Sequence, residues 1–241
     1  MRKKLTLALC ILSALVFLGC AGILLHYWQQ DRSDARVRAE VAAMRPEETE
    51  PDAAFADLLA ANPDTIGWLR IEGTEIDDVV MYAPQEEDKY LHLDFNGSYS
   101  VRGTYYVEEQ CDVQTSDNII IYGHHMKDGS MFGVLAAYQK ADFAAQHPVI
   151  RFRTLYGDHD YEIVAAINTR ILSPGEPGFR YYQYTGSGDE AMFRDYQAFI
   201  LQNRLYDTGV ELQPGDRLLT LSTCAYHTQD GRFIVVARQI N

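Results

Sequence analysis

A thiol, a guanidinium and an imidazole stand at the ends of predicted strands in two separate parts of this chain. Cys224 closes the run TLSTC at 220–224, and Arg232 follows it by eight residues. About a hundred residues upstream, the run YGHHM at 122–126 contains two adjacent histidines. A deprotonated thiol is a strong nucleophile, an imidazole transfers protons near neutral pH, and a guanidinium stays charged. Together these side chains indicate cysteine-dependent acyl transfer.

The strand pattern places Cys224 next to Arg232. Residues 218–224 alternate as a strand, and the apolar, β-branched run at 233–237 predicts the next strand. The polar connection between them carries an Asp-Gly turn signal at 230–231. In an antiparallel pair, the last residue of one strand lies beside the first residue of the next. We therefore expect two neighbours, rather than a buried structural cysteine and an unrelated surface arginine.

The residues alone do not decide which histidine acts. His124 follows a predicted strand at 118–122 and a glycine, so it can project from a strand end, and His125 is its direct neighbour. His227 is close to the cysteine in sequence but lies in a polar connecting loop, which predicts a solvated side chain. The remaining histidines are interpreted as surface residues: His26, His92, His147 and His159.

Both runs resemble the sortases, transpeptidases that attach proteins to Gram-positive cell walls. TLSTC matches the family signature TLxTC, and Arg232 stands where the family's arginine opens the final strand. The run YGHHMKDGSMF at 122–132 is similar to the class B histidine segment YGHNMKDGSMF, with His125 in place of asparagine. The resemblance covers roughly residues 54–241 and continues through NPDTIGWL at 62–69.

The resemblance implies a catalytic role for three residues. The family's histidine directly follows the glycine, which selects His124 over His125. Cys224 is then the nucleophile, and Arg232 stabilises the substrate oxyanion or backbone. The implied reaction cleaves a C-terminal sorting signal, NPxTx-like, after threonine through a thioacyl enzyme. An amine of a peptidoglycan precursor or cross-bridge then takes the acyl group.

Three residues that flank the catalytic positions are candidates for substrate binding. Tyr122 and Ser222 lie beside the catalytic positions in sequence. Thr223 is the weaker candidate, because strand alternation turns it away from the face of the cysteine. No cluster of cysteine and histidine has the spacing of metal ligands, and no glycine-rich loop has phosphate-binding form. We therefore expect neither a metal nor a cofactor.

The chain is predicted to be mainly β. Helices are expected at 54–61, at 131–137 and at 189–204, where an apolar stripe is typical of core packing. Strand-like runs recur at 67–71, 79–82, 103–107, 118–122, 149–152, 161–169, 217–223 and 233–238. Many strands with few helices indicate a closed barrel. The resemblance implies the eight-stranded sortase barrel with N-terminal helices and one long helix before the penultimate strand.

The first residues predict a membrane anchor. Residues 5–25 are uncharged and mostly apolar, with three basic residues before them and Tyr-Trp at 27–28 after them. At about 1.5 Å per residue, such a helix spans the hydrocarbon core of roughly 30 Å. The positive-inside rule places the N-terminus in the cytoplasm and the remainder outside, in a single pass through the cell membrane. A cleaved signal peptide and lipidation at Cys20 are the alternatives.

We accordingly divide the chain into an anchor at 1–28, a charged helical and linker segment at 29–53 and a catalytic domain at 54–241. Acidic residues outnumber basic ones by 34 to 21, for a formal charge of −13, which argues against nucleic acid as a partner. A disulfide between Cys111 and Cys224 would remove the nucleophile, so both are expected to be thiols.

Three other functions remain open at this point. The acyl enzyme could pass to water, which would make the chain a cysteine peptidase. The acceptor could be a pilin subunit, which would make it a pilus polymerase. The barrel could also be a catalytically silent adhesin, although the presence of cysteine, histidine and arginine together argues against this.

Overall fold

The chain forms a closed barrel of eight strands. The computed structural model describes residues 2–46, 54–186, 188–225 and 228–241. The strands are β1 (Thr65–Arg70), β2 (Asp77–Met81), β3 (Tyr105–Val107), β4 (Asn118–Tyr122), β5 (Val149–Thr154), β6 (Gly157–Arg170), β7 (Leu218–Cys224) and β8 (Gly231–Gln239). Around the barrel they follow the order β1-β2-β3-β4-β7-β8-β6-β5. The pairs β2–β3 and β4–β7 are parallel, and the other neighbours are antiparallel. The predicted fold class is confirmed.

Among the described residues, four α-helices and three 3₁₀ segments accompany the strands. The α-helices are α1 (Arg2–Ala43), α2 (Ala56–Ala61), α3 (Ala141–Gln146) and α4 (Glu190–Asn203). The 3₁₀ segments are Lys89–Leu91, Phe132–Gln139 and Tyr181–Gln183. The Asp189 side chain caps α4 by accepting hydrogen bonds from the amides of Ala191 and Met192. This helix lies directly before the penultimate strand, as predicted.

The helix expected at 131–137 is a 3₁₀ segment instead, Phe132–Gln139. An apolar run of this kind does not distinguish 3₁₀ from α winding, because both bury the same side chains. Its first two amides donate to the carbonyls of His124 and Ser130, which fix the start of the segment against the preceding loop.

Strand β7 is covered on both faces. Leu219 and Leu221 join the core inside the barrel. Leu218 faces outward and packs with residues of α4, including Phe193 and Tyr196, in a second buried cluster. The apolar stripe of α4 is therefore core packing, as predicted. Since water is excluded from both sides of β7, its last residue, which is only half-buried, is where the strand meets solvent.

Helix α1 begins in the predicted anchor segment at 1–28, continues without interruption into the predicted charged segment at 29–53 and ends at Ala43. Its polar end, residues 29–43, touches the barrel through Val37 and Val41, which pack in one cluster with Trp68 and Val79. The predicted acidic linker at 45–51 lies mostly outside the described residues. Residues 29–43 of α1 therefore lie against the outside of the barrel, close to β2.

Candidate active site

Cys224 and Arg232 face each other across the hairpin of β7 and β8. They form the last register pair of this antiparallel ladder. The turn between the strands is closed by a hydrogen bond from the Ala225 amide to the Gly231 carbonyl, at 2.9 Å. Asp230, in the predicted turn signal, adopts the left-handed conformation with a φ of 53°. The predicted contact between the two residues at the strand edge is confirmed.

His124 comes to the same edge of the sheet because β4 runs parallel to β7. Tyr122 pairs with Ser222 at the end of this ladder. His124 lies two residues after Tyr122, and Cys224 lies two residues after Ser222. The Gly123 amide donates to the Ser222 carbonyl at 3.3 Å, which extends the pairing. Neighbouring parallel strands end at the same edge of a sheet, so the imidazole and thiol segments leave the barrel side by side.

The His124 ring is held by a backbone carbonyl and by a second ring. Its Nε2 lies 2.8 Å from the Leu91 oxygen, and because a carbonyl only accepts, this nitrogen carries a proton. The His92 ring lies 5.2 Å away between centres. Burial lowers the pKa of His124, the nearby His92 lowers it further, and the Leu91 hydrogen bond opposes both. In the neutral ring, the free nitrogen is therefore Nδ1.

Sequence reasoning placed His92 among the surface histidines and missed its contact with His124. His92 is exposed, as expected, but it belongs to the segment whose carbonyl, at Leu91, accepts the His124 proton. Nothing in the composition of residues 90–95 indicates that this segment lies against His124.

Thr223 ties the cysteine strand to the histidine segment. Its Oγ1 donates to the Gly123 carbonyl at 2.8 Å, and the side chain is 2% exposed. Gly123 itself has no room for a side chain, since a Cβ there would lie 2.7 Å from Phe132 and from Tyr105. Thr223 and Gly123 thus fix the residues that precede the thiol and the imidazole.

Ser222 is bonded to a tyrosine below the site. Its Oγ lies 2.8 Å from the Tyr181 hydroxyl, and both residues are buried. Burial raises the pKa of Tyr181 to about 12, and the charges that act on this hydroxyl include Arg232 and Cys224. Tyr181 therefore lies near Cys224 and Arg232, a position that sequence reasoning missed. The tyrosine-rich run at 181–184 was the available signal.

The roles predicted for Ser222 and Thr223 in substrate binding stay predictions. Their exposed fractions are only 1% and 2%, and their hydrogen bonds support a positioning role. Tyr122 is half-buried and bonds the side chain of Glu108. Burial raises the pKa of Glu108 to about 7, so this pair adds a second titratable group near the end of β4. Sequence reasoning did not find Glu108.

Arg232 is half-buried and oriented by its own turn. Its Nη1 donates to the Gly231 carbonyl at 3.0 Å, and the carbonyl of Asp230 lies at 3.5 Å. These bonds use one nitrogen of a guanidinium that has five N–H donors. The remaining donors are the groups with which an arginine binds a developing oxyanion.

The other reactive side chains have different surroundings. Cys111 is buried, its Sγ accepts from the Ile120 amide, and burial raises the pKa of its thiol to about 12. It is a packing residue, as expected, and the four cysteines are thiols. His227 lies outside the described residues. Among those that are described, no group of three or more acidic, histidine or cysteine residues is placed to hold a metal ion.

Comparison with known proteins assigns the chain to a family. Residues 69–240 match the family model of the Sortase domain. The chain belongs to the sortase family. Sortase B of Listeria monocytogenes is 32% identical over 187 residues, covering 76% of this sortase and 73% of the relative. Sortase B of Staphylococcus aureus is 30% identical over 192 residues, covering 77% and 74%.

Solved structures support the same assignment. The crystal structure of sortase B from B. anthracis in complex with AAEK1 has a TM-score of 0.75 and 26% identity, covering 89% of this sortase and 99% of that chain. The resemblance drawn from the two sequence runs, including its class B character, is confirmed. The site at the ends of β4, β7 and β8 thus belongs to a transpeptidase family.

Proposed function

We propose that this sortase is a membrane-anchored cysteine transpeptidase. It cleaves the C-terminal sorting signal of a secreted protein after threonine and transfers that protein to an amine of the cell wall. The observation that carries the proposal is the register pair of Cys224 and Arg232. This pair lies at the same edge of the sheet as His124, which follows the parallel strand β4. A nucleophile, an oxyanion ligand and a proton donor need this proximity to act on one carbonyl.

In the first step, the Cys224 thiolate attacks the threonine carbonyl of the sorting peptide. The carbonyl oxygen becomes an oxyanion in the tetrahedral intermediate. It is bound by the N–H donors of Arg232 that are not bonded to the Asp230 and Gly231 carbonyls. Removal of one such donor typically costs about 10²–10³ in rate. Arg232 lies directly across the hairpin from the sulfur, which supports this role.

In the second step, the intermediate collapses and the C–N bond breaks. The departing amine takes a proton from the imidazolium form of His124, which leaves a thioester on Cys224. With Nε2 bonded to the Leu91 carbonyl, Nδ1 is the nitrogen available to give this proton. The lowered pKa of His124 makes the imidazolium a stronger acid.

In the last step, an acceptor amine attacks the thioester. His124 removes the proton from the incoming amine, a new amide forms, and Cys224 leaves as the thiolate. The acceptor we propose is an amine of a peptidoglycan precursor or cross-bridge, and the sorting motif is NPxTx-like. Similarity to sortases B of two species supports both assignments.

The proposed location is the cell membrane, with the catalytic domain outside. Helix α1 is long and apolar enough to cross a bilayer, and its most apolar window has a mean hydropathy of 2.4, with none of it buried. The three basic residues at 2–4 favour a cytoplasmic N-terminus. The enzyme would then meet its substrates on the outer side of the membrane.

Mass spectrometry of the protein with a panel of sorting peptides tests the proposal. NPxTx-like and LPxTG-like peptides are incubated with triglycine, a diaminopimelate-containing amine, a lysine-containing pilin peptide or no amine. The expected result is a thioacyl adduct on Cys224 with an NPxTx-like peptide and an amide product when an amine is present. Product formed only with water would identify a peptidase, and product formed only with a pilin lysine would identify a polymerase.

A further inference from the structure

We propose that Arg102 is a positioning residue that ties the polar end of α1 to the loop that follows His124. Through this tie, the helix that continues from the membrane anchor holds the catalytic imidazole in its working orientation. The inference rests on the role of His124 proposed above. Arg102 does not touch the reacting atoms and belongs to neither of the runs that carry the family resemblance.

Arg102 bridges helix α1 and the loop that follows His124. Its Nη2 bonds Asp31 of α1 at 2.9 Å. Its Nη1 lies 2.9 Å from the Asp128 carboxylate and donates to the Ser130 hydroxyl. The guanidinium side chain is 13% exposed, whereas Asp31 and Asp128 are 65% and 52% exposed. A mostly buried cation thus lies between carboxylates of the helix and of the loop.

The loop transmits this contact to His124. Asp128 also accepts from the Ser130 amide and hydroxyl, at 3.0 and 2.7 Å, so the two partners of Arg102 form one rigid turn. The loop then closes on the histidine, since the Phe132 amide donates to the His124 carbonyl at 2.9 Å. Arg102 therefore holds the middle of a loop whose two ends, at His124 and Phe132, are hydrogen-bonded to each other.

A second set of contacts runs from α1 to the ring of His124. Buried Asp34 accepts from the Ser100 hydroxyl at 3.1 Å, and the Ser100 amide donates to the His92 carbonyl at 2.9 Å. The neighbouring Leu91 carbonyl receives the Nε2 proton of His124. The Arg102 amide donates to the same Ser100 hydroxyl at 3.1 Å, which joins the two sets.

The magnitudes favour positioning over stability. The carboxylates of Asp31 and Asp128 are more than half exposed, so solvent screens both ion pairs and limits their contribution to folding. By contrast, a displacement of about 1 Å in a catalytic group can cost roughly a hundredfold in rate, even when the change is far from the chemistry. The polar end of α1 is in any case held to the barrel by Val37 and Val41. Loss of the Arg102 contacts should therefore affect turnover far more than folding.

The test uses the full-length protein in nanodiscs with four variants. Arg102→Met removes the charge and keeps an aliphatic side chain. Arg102→Lys keeps the charge but lacks the planar guanidinium that can bond several partners at once. Asp31→Asn weakens only the contact with α1. Glu40→Gln is the matched control, because it removes the exposed Arg36–Glu40 pair from the same helix. Thermal unfolding, kcat and KM for an NPxTx-like peptide, and ¹⁵N spectra of labelled histidines are measured for each.

We expect Arg102→Met to lower kcat about ten- to a hundredfold, with KM within about twofold of wild type. Lysine should restore part of the loss, and Asp31→Asn should lower kcat about two- to fivefold. In the ¹⁵N spectra, assigned with His124→Ala, the Nε2-protonated signature of His124 should become a mixture of tautomers in Arg102→Met. Glu40→Gln should match wild type in every measurement.

A folded Arg102→Met protein with wild-type kcat and an unchanged His124 spectrum would overturn the inference. If that variant does not fold, Asp31→Asn decides, and its equality with Glu40→Gln in kcat and spectrum would also overturn it. A wild-type protein without turnover on any sorting peptide would instead reject the proposed function. In that event, the histidine spectra still show whether Arg102 orients the ring.

Discussion

Thr223 donates a hydrogen bond of 2.8 Å to the carbonyl of Gly123, across a separation of 100 residues in the chain. The bond joins the residue before Cys224 to the residue before His124. It is buried from solvent on the Thr223 side and lies next to the parallel register of β4 and β7. The relative position of the thiol and the imidazole therefore depends on this contact as well as on the barrel.

Thr223→Val should reduce both activity and stability. Valine keeps the shape but leaves the Gly123 carbonyl without this donor, which typically costs about 1–2 kcal/mol. We expect kcat/KM to fall at least tenfold at a temperature where the protein stays folded. Thr208→Val is the control, since it removes a similar 2.8 Å bond to the Val164 carbonyl away from the site. Equal activity losses in the two variants would contradict a positioning role for Thr223.

Cys224→Ala should abolish peptide cleavage and adduct formation, whereas Cys111→Ala should leave turnover nearly intact. Cys224 is half-buried at a strand end beside Arg232, and Cys111 is buried with its pKa raised to about 12. Peptide mass mapping after brief iodoacetamide treatment at pH 8 should accordingly find the label on Cys224 and not on Cys111. A Cys224→Ala protein that still cleaves the peptide would refute the assignment.

The adjacent histidines should differ sharply. His124→Ala should lower turnover about 10²–10⁴-fold, because the leaving amine loses its proton donor. His125→Asn should be tolerated, since asparagine stands there in the class B pattern. The NMR titration of His124 should give a midpoint below the ordinary value of about 6.5, since burial disfavours the charged ring. A larger loss in His125→Asn than in His124→Ala would show that His125, and not His124, transfers the proton.

Arg232→Lys should lower kcat/KM about a hundredfold if the planar fork binds the oxyanion. If Arg232 acts only as a nearby positive charge, lysine should restore most of the activity that Arg232→Ala loses. Comparison of kcat/KM in wild type, Arg232→Lys and Arg232→Ala separates the two roles. Near-normal turnover of the lysine variant would rule out the geometric one.

The topology can be tested with reporters and fractionation. A reporter fused after Asn241 should be active only outside the cytoplasm, and the full-length protein should remain in membranes. The reason is the uncharged stretch at 5–25 behind three basic residues. A mature N-terminus near residues 22–30, recovered from the medium, would show that the stretch is a cleaved signal.

Local sequence patterns were sufficient for much of the barrel. Alternation and β-branched runs located all eight strands, because these residues bury one or both faces of a sheet. The same reasoning found the contact of Cys224 with Arg232, since a short turn leaves an antiparallel hairpin little choice of register. Its main gaps were α3 and the winding of Phe132–Gln139, both short segments whose form depends on packing.

The histidine side of the site could not be predicted from local patterns. The parallel pairing of β4 with β7 joins distant strands, and only the family resemblance selected His124. The contacts of Tyr181 with Ser222 and of Arg102 with Asp31 also cross large sequence separations. Periodicity describes which face a residue occupies, but it does not identify the partner on that face.

The parallel β4–β7 pair also bears on how the enzyme becomes active after synthesis. Contacts between distant segments form only after a long loop has closed, and the entropy lost in this closure is offset only once the contacts exist. Such pairings therefore form slowly. Hairpin β7–β8 is local and can form early, so a newly synthesised chain would bring Cys224 and Arg232 together before His124 joins them. If His124 is the proton donor we propose, competence for acyl transfer would then depend on the β4–β7 pairing.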